Sequence, residues 1–256
     1  MTQLIDACQF MDEQLAAAIG KNVRAVLLLQ DIRSGSLVTW LRSVVESLDE
    51  DALKSGDVKK LIGSYLAKGR RGIIGFLENR TTIQEAADIY DLQKVITIAA
   101  HETGLPIRQE PPVPARQIAE SVKLISEATA PLQPRDGAKY ITDEGETRIN
   151  TGFRVTTEQI EEALTHETII NQDTMILKVK RPDFLGDSMW EFRHEGKKFP
   201  AKVMDVDWLR SFKSRQIVLQ PGDAIRGTVE IETRYGQDQE VIATHYRILK
   251  VEQIEH

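Results

Sequence analysis

The 256-residue sequence contains one cysteine, Cys8. A single thiol excludes an intrachain disulfide framework and a multi-cysteine zinc site, and it suits a reducing compartment. Long apolar runs are also missing. The nearest approach, Ile62 to Leu77, is interrupted by Lys68, Arg70 and Arg71, so no membrane span is expected. The opening residues Met1 to Asp6 lack a basic stretch with an apolar run behind it, so no signal peptide is expected and the cytoplasm is the default location. An excess of positive charge is absent as well: the net charge is -6, and neither half of the chain is basic. That argues against a general affinity for nucleic-acid backbone.

Catalytic signatures are missing too. There is no Gly-x-Ser-x-Gly elbow, Walker loop, kinase motif set or His-Glu-x-x-His pair around the histidines His101, His166, His194, His245 and His256. Ser34-Gly35-Ser36 has neither the glycines nor the lysine of a phosphate loop and reads as a plain turn. No cofactor or metal is expected. A three-ligand site from His194, His245 and Asp205, or a Mg²⁺ pair from Asp205 and Asp207, competes with a simpler role for the two aspartates as caps of a helical corner. The capping role is preferred.

What is present is enough apolar material, 41% of residues, for a substantial core. Leu4, Cys8, Met11, Leu15 and Ile19 recur at helical spacing up to Gly20, which places Cys8 on a buried stripe as a small hydrophobe. Val23 to Ile32 reads as a strand that turns at Arg33-Ser34-Gly35-Ser36. Its second arm, Leu37 to Leu41, is expected to run into a helix through Val44, Val45 and Leu48. Val58 to Asn79 predicts a long helix weakened by Gly63, Gly69, Gly72 and Gly75, with close helix contacts at the glycines as the compensation. Lys59, Lys60, Lys68, Arg70 and Arg71 make it the most basic segment and a candidate partner surface.

Thr82 and Glu85 have capping-box spacing ahead of a helical pattern that ends at Gly104. A break near Asp91 admits a helix-turn-helix reading, with Leu92 to Glu102 as the second helix. Gln109 to Pro114 is proline-rich and reads as a linker. A helix over Ala115 to Ala130 follows, and the domain boundary is placed near Pro131. That gives an N-terminal mixed helical domain with a hairpin, 1–130, and a C-terminal antiparallel β domain, 131–256.

The second domain opens with a hairpin, Ala138 to Ile141 and Glu146 to Asn150, and a short helix over Thr156 to Leu164. From Asp173 onward apolar and polar residues alternate with period two: Met175, Leu177 and Val179, then Trp190 and Phe192, then Phe199, Ala201 and Val203 across a Glu195-Gly196 turn. Val206 to Phe212 predicts a helical corner, and Gln220-Pro221-Gly222-Asp223 a type II turn. Ile225, Val229 and Ile231 belong to a further arm, and Val241 to Val251 to the last, with a bulge where Ile248 and Leu249 adjoin. The fold class is therefore α+β: an N-terminal hairpin with several helices, then a mostly antiparallel barrel or sandwich-like domain of about five to seven strands.

Arg193, Lys202, Arg226, Arg234, His245 and Arg247 lie on these strands and are the candidate ligand-binding set, for a phosphorylated small molecule or nucleotide. The competing reading pairs them with Glu191, Glu230 and Glu232 across the strands.

Ile32-Arg33-Ser34-Gly35-Ser36-Leu37, Ile62-Gly63-Ser64-Tyr65-Leu66, Trp190-Glu191-Phe192 and Pro221-Gly222-Asp223 together resemble an uncharacterised bacterial protein family. The resemblance implies a bacterial source and an antiphage or mobile-element setting, and no activity. The expected function is a cytosolic, non-enzymatic binding or assembly protein. It self-associates through its N-terminal half, or binds another protein there, and the β domain serves as platform for a partner or an anionic small molecule. A nucleotide sensor, an enzyme built from scattered side chains and a DNA-binding regulator are the alternatives.

Overall fold

The computed structural model describes residues 2–20, 23–33, 38–47, 56–105, 110–133, 136–142, 145–184, 188–237 and 239–256. They form two compact units, Met1–Leu164 and Thr165–His256.

The first unit contains α1 (Thr2–Ile19), β1 (Val23–Arg33), β2 (Val38–Ser47), α2 (Gly56–Leu77), α3 (Ala86–Thr103), α4 (Ala115–Thr129), β3 (Ala138–Thr142), β4 (Gly145–Ile149) and α5 (Thr157–Leu164). Helical periodicity sets its core: Met11 and Leu15 of α1, Ile62, Leu66 and Ile73 of α2, Ile89 and Ile96 of α3, and Val122 and Ile125 of α4 are all buried. Cys8 is buried with them, and burial, only partly offset by Arg70, pushes its thiol up to about 11. It is a protonated core side chain. Arg70 turns inward as well, with its Nε 2.9 Å from Asp12 Oδ1 in a pair that solvent hardly reaches.

Several sequence expectations change here. The second arm of the first hairpin does not become a helix: β2 continues to Ser47, paired with β1 from Val23↔Ser47 to Arg33↔Val38 through a bulge at Leu29/Asp31. Val44 and Val45 are β-branched and suit the pleat better than a helix. The turn residues Ser34 to Leu37, and Leu48, fall outside the described residues. Helix α3 begins at Ala86, later than the Thr82 start, because Glu85 is the N-cap and Asp88 completes the capping box. It then runs unbroken to Thr103, so the turn that a helix-turn-helix needs is absent from it.

The prolines after α3 do not make a loose linker, since Val113 is buried and its carbonyl accepts from Gln93 Nε2 at 3.0 Å. The sequence places the break near Pro131; the contacts place it after Leu164. Residues beyond Pro131 fold back on the helices. Asn150 Nδ2 donates to Leu77 O and Arg80 O at 3.1 and 2.7 Å, Arg154 N donates to Thr81 O, Val155 N donates to Ser126 Oγ, and Phe153 is buried. The short helix α5 is capped reciprocally, with Gln159 N donating to Thr156 Oγ1 and Thr156 N donating to Gln159 Oε1.

Two of the α2 glycines are close-approach points. A Cβ at Gly69 would meet Leu15 Cδ1 at 2.8 Å, and one at Gly72 would meet Val95 Cγ1 at 2.5 Å, whereas one at Gly63 meets nothing within 4 Å. Valine is stiff at χ1. Gly72→Ala is therefore expected to destabilise the first unit by about 1–3 kcal/mol. Gly63→Ala should stabilise it by up to about 1 kcal/mol through helix propensity. Opposite shifts of the urea midpoint check the pair.

The second unit is a closed barrel of β5 (Glu167–Arg181), β6 (Trp190–His194), β7 (Lys197–Val203), β8 (Ala224–Tyr235) and β9 (Val241–Glu255), with α6 (Val206–Lys213) between β7 and β8. The order is β5-β6-β7-β9-β8, with β8 closing onto β5. All neighbours are antiparallel except β7 and β9. Leu177, Phe192, Ala201, Ile225, Val229 and Ile248 fill the interior, and Trp208 and Phe212 of α6 join Trp190 in the same cluster.

The turn at Gly222 is as expected, with φ 112° and Asp223 N donating to Gln220 O. Leu249 is the extra residue of a bulge between Ile248↔Val229 and Lys250↔Thr228. Asp205 caps α6 by accepting from Trp208 N, and its other oxygen accepts from Val251 N, which ties the helix to β9.

Candidate functional site

The β6–β7 hairpin sets the geometry of the candidate site. Glu195 and Gly196 both take positive φ, 46° and 84°, which is the two-residue turn whose twist matches the flanking strands. Such a turn forces His194 opposite Lys197, Arg193 opposite Lys198 and Phe192 opposite Phe199. Phe192 is fully buried, so by the pleat Arg193 and Lys198 face solvent. On the other side of β6, Leu177 points into the core and Lys178 outward, directly opposite Arg193. Three cations on three adjacent strands thus form one exposed row: Lys178, Arg193, Lys198. Among the described residues none of them has an ion-pair partner. Like charges set directly opposite one another destabilise a sheet, so the row carries a cost in stability.

Beside the row lies an open groove of about 420 Å³, lined by Lys178, Arg193, His194, Gly196, Glu255 and His256. His194 Nδ1 is 2.9 Å from Ile176 O and His256 Nδ1 3.1 Å from Asp223 Oδ1. The Gln220 N–H, and then His256, hold the Asp223 carboxyl below the ordinary carboxylate range.

The sequence-derived set divides between two walls. Arg193 is in the row, and Lys202 is exposed further along β7, opposite Arg247 of β9. Arg234 and Arg247 are committed elsewhere. Arg247 donates from Nε to Glu230 and from Nη2 to Glu232, at 2.8 and 2.6 Å, and Arg234 Nε donates to Glu232 at 2.8 Å. His245 stands opposite Glu232 in the ladder. Arg226 is half-exposed, 4.0 Å from Glu252. On the β8–β9 wall the cross-strand pairing therefore holds for Arg247, whereas Arg234 pairs along its own strand with Glu232.

The hydrogen bond from Arg234, then the charges of Arg234 and Arg247, keep the Glu232 carboxyl below its usual range. Its contribution to stability is present above the unfolded carboxylate value and is lost as pH falls through the lower folded value. Glu232→Gln is expected to lower the melting temperature at neutral pH and to converge with the parent protein in acid, as melting curves across that range will show.

The basic segment of α2 does not form one surface. Lys59 and Lys60 are exposed, Lys68 pairs with Glu102 at 2.9 Å, and Arg70 is buried. Arg71 lies with Lys68 along a separate groove of about 540 Å³ that also includes Ile98 and Glu146. Asp207 pairs with Arg210. Both oxygens of Asp205 accept from backbone N–H groups, which fixes its carboxylate between α6 and β9. Among the described residues no cluster of three His, Cys, Asp or Glu side chains is placed to hold a metal.

Lys178 and Lys198 are what the sequence reading missed. The signal for Lys198 is the two-residue turn itself, which fixes it opposite Arg193. Lys178 depends on how β5 meets β6 in a closed barrel.

A closed five-stranded barrel whose first strand pairs with its second and fourth, whose third runs parallel to its fifth, and whose helix lies between the third and fourth has the topology of the OB-fold. No family model, curated protein or solved structure matches the chain.

Proposed function

We propose that the protein is a binding module whose barrel holds a phosphate-bearing chain, single-stranded nucleic acid, along the wall formed by β5, β6 and β7. The observation that carries this reading is the row Lys178, Arg193, Lys198, three exposed cations in cross-strand register without ion-pair partners among the described residues. Barrels of this topology use the face of their second and third strands for oligonucleotides and oligosaccharides, and here those strands are β6 and β7. That support is analogy, since a fold does not dictate a function.

The negative net charge is compatible with such a ligand, because the electrostatic footprint that matters is local. On the opposite wall the glutamates engage the arginines. Phe184, 61% exposed in the β5–β6 loop although its ring stacks on Phe212 at 5.3 Å between centroids, is an aromatic of the kind on which bases stack. The groove beside the row favours a second, narrower reading, a single nucleotide held by Lys178, Arg193 and His194. Self-association through the helical half and a role in bacterial defence rest on the sequence reading alone.

Fluorescence anisotropy with a labelled oligothymidylate, competed by duplex DNA and by a mononucleotide, tests the reading. Charge-assisted hydrogen bonds are worth about 1.5–3 kcal/mol, so each reversal in Arg193→Glu and Lys198→Glu is expected to weaken binding by roughly tenfold or more. Binding that ignores both reversals would sink the proposal. Competition by the mononucleotide alone would favour the narrower reading.

A further inference from the structure

Strand β5 is paired on one side along its length and on the other only at its end. With β8 it matches residue for residue, from Glu167↔Tyr235 to Lys178↔Ala224. Toward β6 the pairing covers only Lys178, Val179 and Arg181. Just before that, Ile176 O is met by His194 Nδ1. Among the described residues no strand therefore pairs with the outer edge from Glu167 to Met175. The residues from Glu167 to Thr174 are exposed on both faces. Ile169 is 39% exposed on one face and Ile170 55% on the other.

Open edges of this length are normally blunted by lysine, proline, a bulge or shortness. The run Glu-Thr-Ile-Ile-Asn-Gln-Asp-Thr-Met has no lysine or proline, its two charges, Glu167 and Asp173, leave Thr168 to Gln172 between them uncharged, and its pairing with β8 shows no register shift. The missing safeguards are what an edge that is filled in the working protein would look like.

We propose that the occupant is a second copy of this chain, added antiparallel, β5 to β5, about a two-fold axis. Such an axis is perpendicular to the sheet, so each residue must oppose one of its own face, and only a few registers are allowed. Centred on Ile169, the pairing sets Ile169 against itself, Thr168 against Ile170 of the second copy and Glu167 against Asn171, with no like charges opposed. Centred on Ile170, it sets Glu167 against Asp173, which a sheet disfavours. The self-pairing is isologous and closes after two copies, leaving neither edge open. It joins β9, β8 and β5 of both copies into one six-stranded sheet. The pairing is independent of the basic row.

The full-length chain is tested by light scattering and by oxidative crosslinking of a cysteine scan from Glu167 to Asp173 in a Cys8→Ala background. A residue on the axis has its own counterpart about 4.5–5.5 Å away between Cα atoms, within disulfide reach, whereas its neighbours' counterparts lie beyond about 7 Å. The expected results are a dimer, interchain crosslinking that peaks at Ile169→Cys, and conversion to monomer by Ile170→Lys. In that variant the near-ultraviolet signal of Trp190 and Trp208 should be retained, which separates loss of pairing from loss of fold. A monomer at every concentration, a dimer indifferent to Ile170→Lys, or a scan without a peak at Ile169 overturns the proposal.

Discussion

Asp12→Ala is expected to destabilise the first unit by about 3–5 kcal/mol, because it removes the carboxylate that faces a buried guanidinium. Asp12 is fully buried and the Arg70 side chain is 7% exposed, with Nε and Oδ1 2.9 Å apart. Arg70 also stands over the Tyr140 ring, with its Cζ 5.3 Å from the centroid, and burial, partly offset by Arg70, raises the Tyr140 phenol. The pair need not be stabilising in itself, however. Replacing both partners by apolar residues of similar volume, Asp12→Leu with Arg70→Met, is expected to recover most of the loss, since desolvating two ions offsets much of their attraction. Urea unfolding of the two single variants and the double variant separates these effects. A loss below about 1 kcal/mol in Asp12→Ala would place the pair in water, where ion pairs contribute little.

Gly227→Ala is expected to be nearly as damaging to the barrel. A Cβ at this position would lie 2.3 Å from Lys250 O and 3.3 Å from Val251 Cα. Both are backbone atoms, so no side chain can swing aside, and β8 and β9 would have to separate where their register already shifts. Met175 of β5 faces the same residue from the other side. Overpacking of this kind costs about 1–3 kcal/mol, and the backbone clash puts the expectation at the upper end. Unfolding followed by Trp190 and Trp208 fluorescence reads the effect, with Thr228→Ala as the neighbouring control. A shift below about 0.5 kcal/mol would mean that the strands approach less closely than the structure has them.

Local pattern carried much of the fold into the sequence. The alternation around Met175, Trp190 and Ala201, the turn at Gly222 and the bulge at Leu249 each depend on neighbours within a few residues, and each is present. The domain boundary depends on something else. Asn150 reaches Leu77 O and Arg80 O across 73 and 70 residues of chain, and no proline pattern encodes that return. The extension of β2 to Ser47 was hidden for a similar reason, because pairing with β1 settles a stretch that reads as either helix or strand.

The site was legible in part. Arg193 stood out as a strand cation, but Arg234 and Arg247 looked equivalent to it until register put glutamates opposite or beside them. Sequence shows which residues are charged, whereas the ladder decides which charges remain uncompensated. Gly69 and Gly72 illustrate the converse: an apparent weakness of α2 is what lets Leu15 and Val95 approach it.

The salt dependence of single-strand binding tests the proposed role of the β5–β6–β7 wall most directly. Three phosphates neutralised by Lys178, Arg193 and Lys198 give an expected slope of log K against log salt of about -2, at roughly -0.7 per contact for single strands. In Arg193→Glu with Lys198→Glu the slope should flatten and the affinity fall. An oligothymidylate that is not retained at low salt, or a slope identical in the parent protein and the double variant, would contradict the assignment of this wall to nucleic-acid binding.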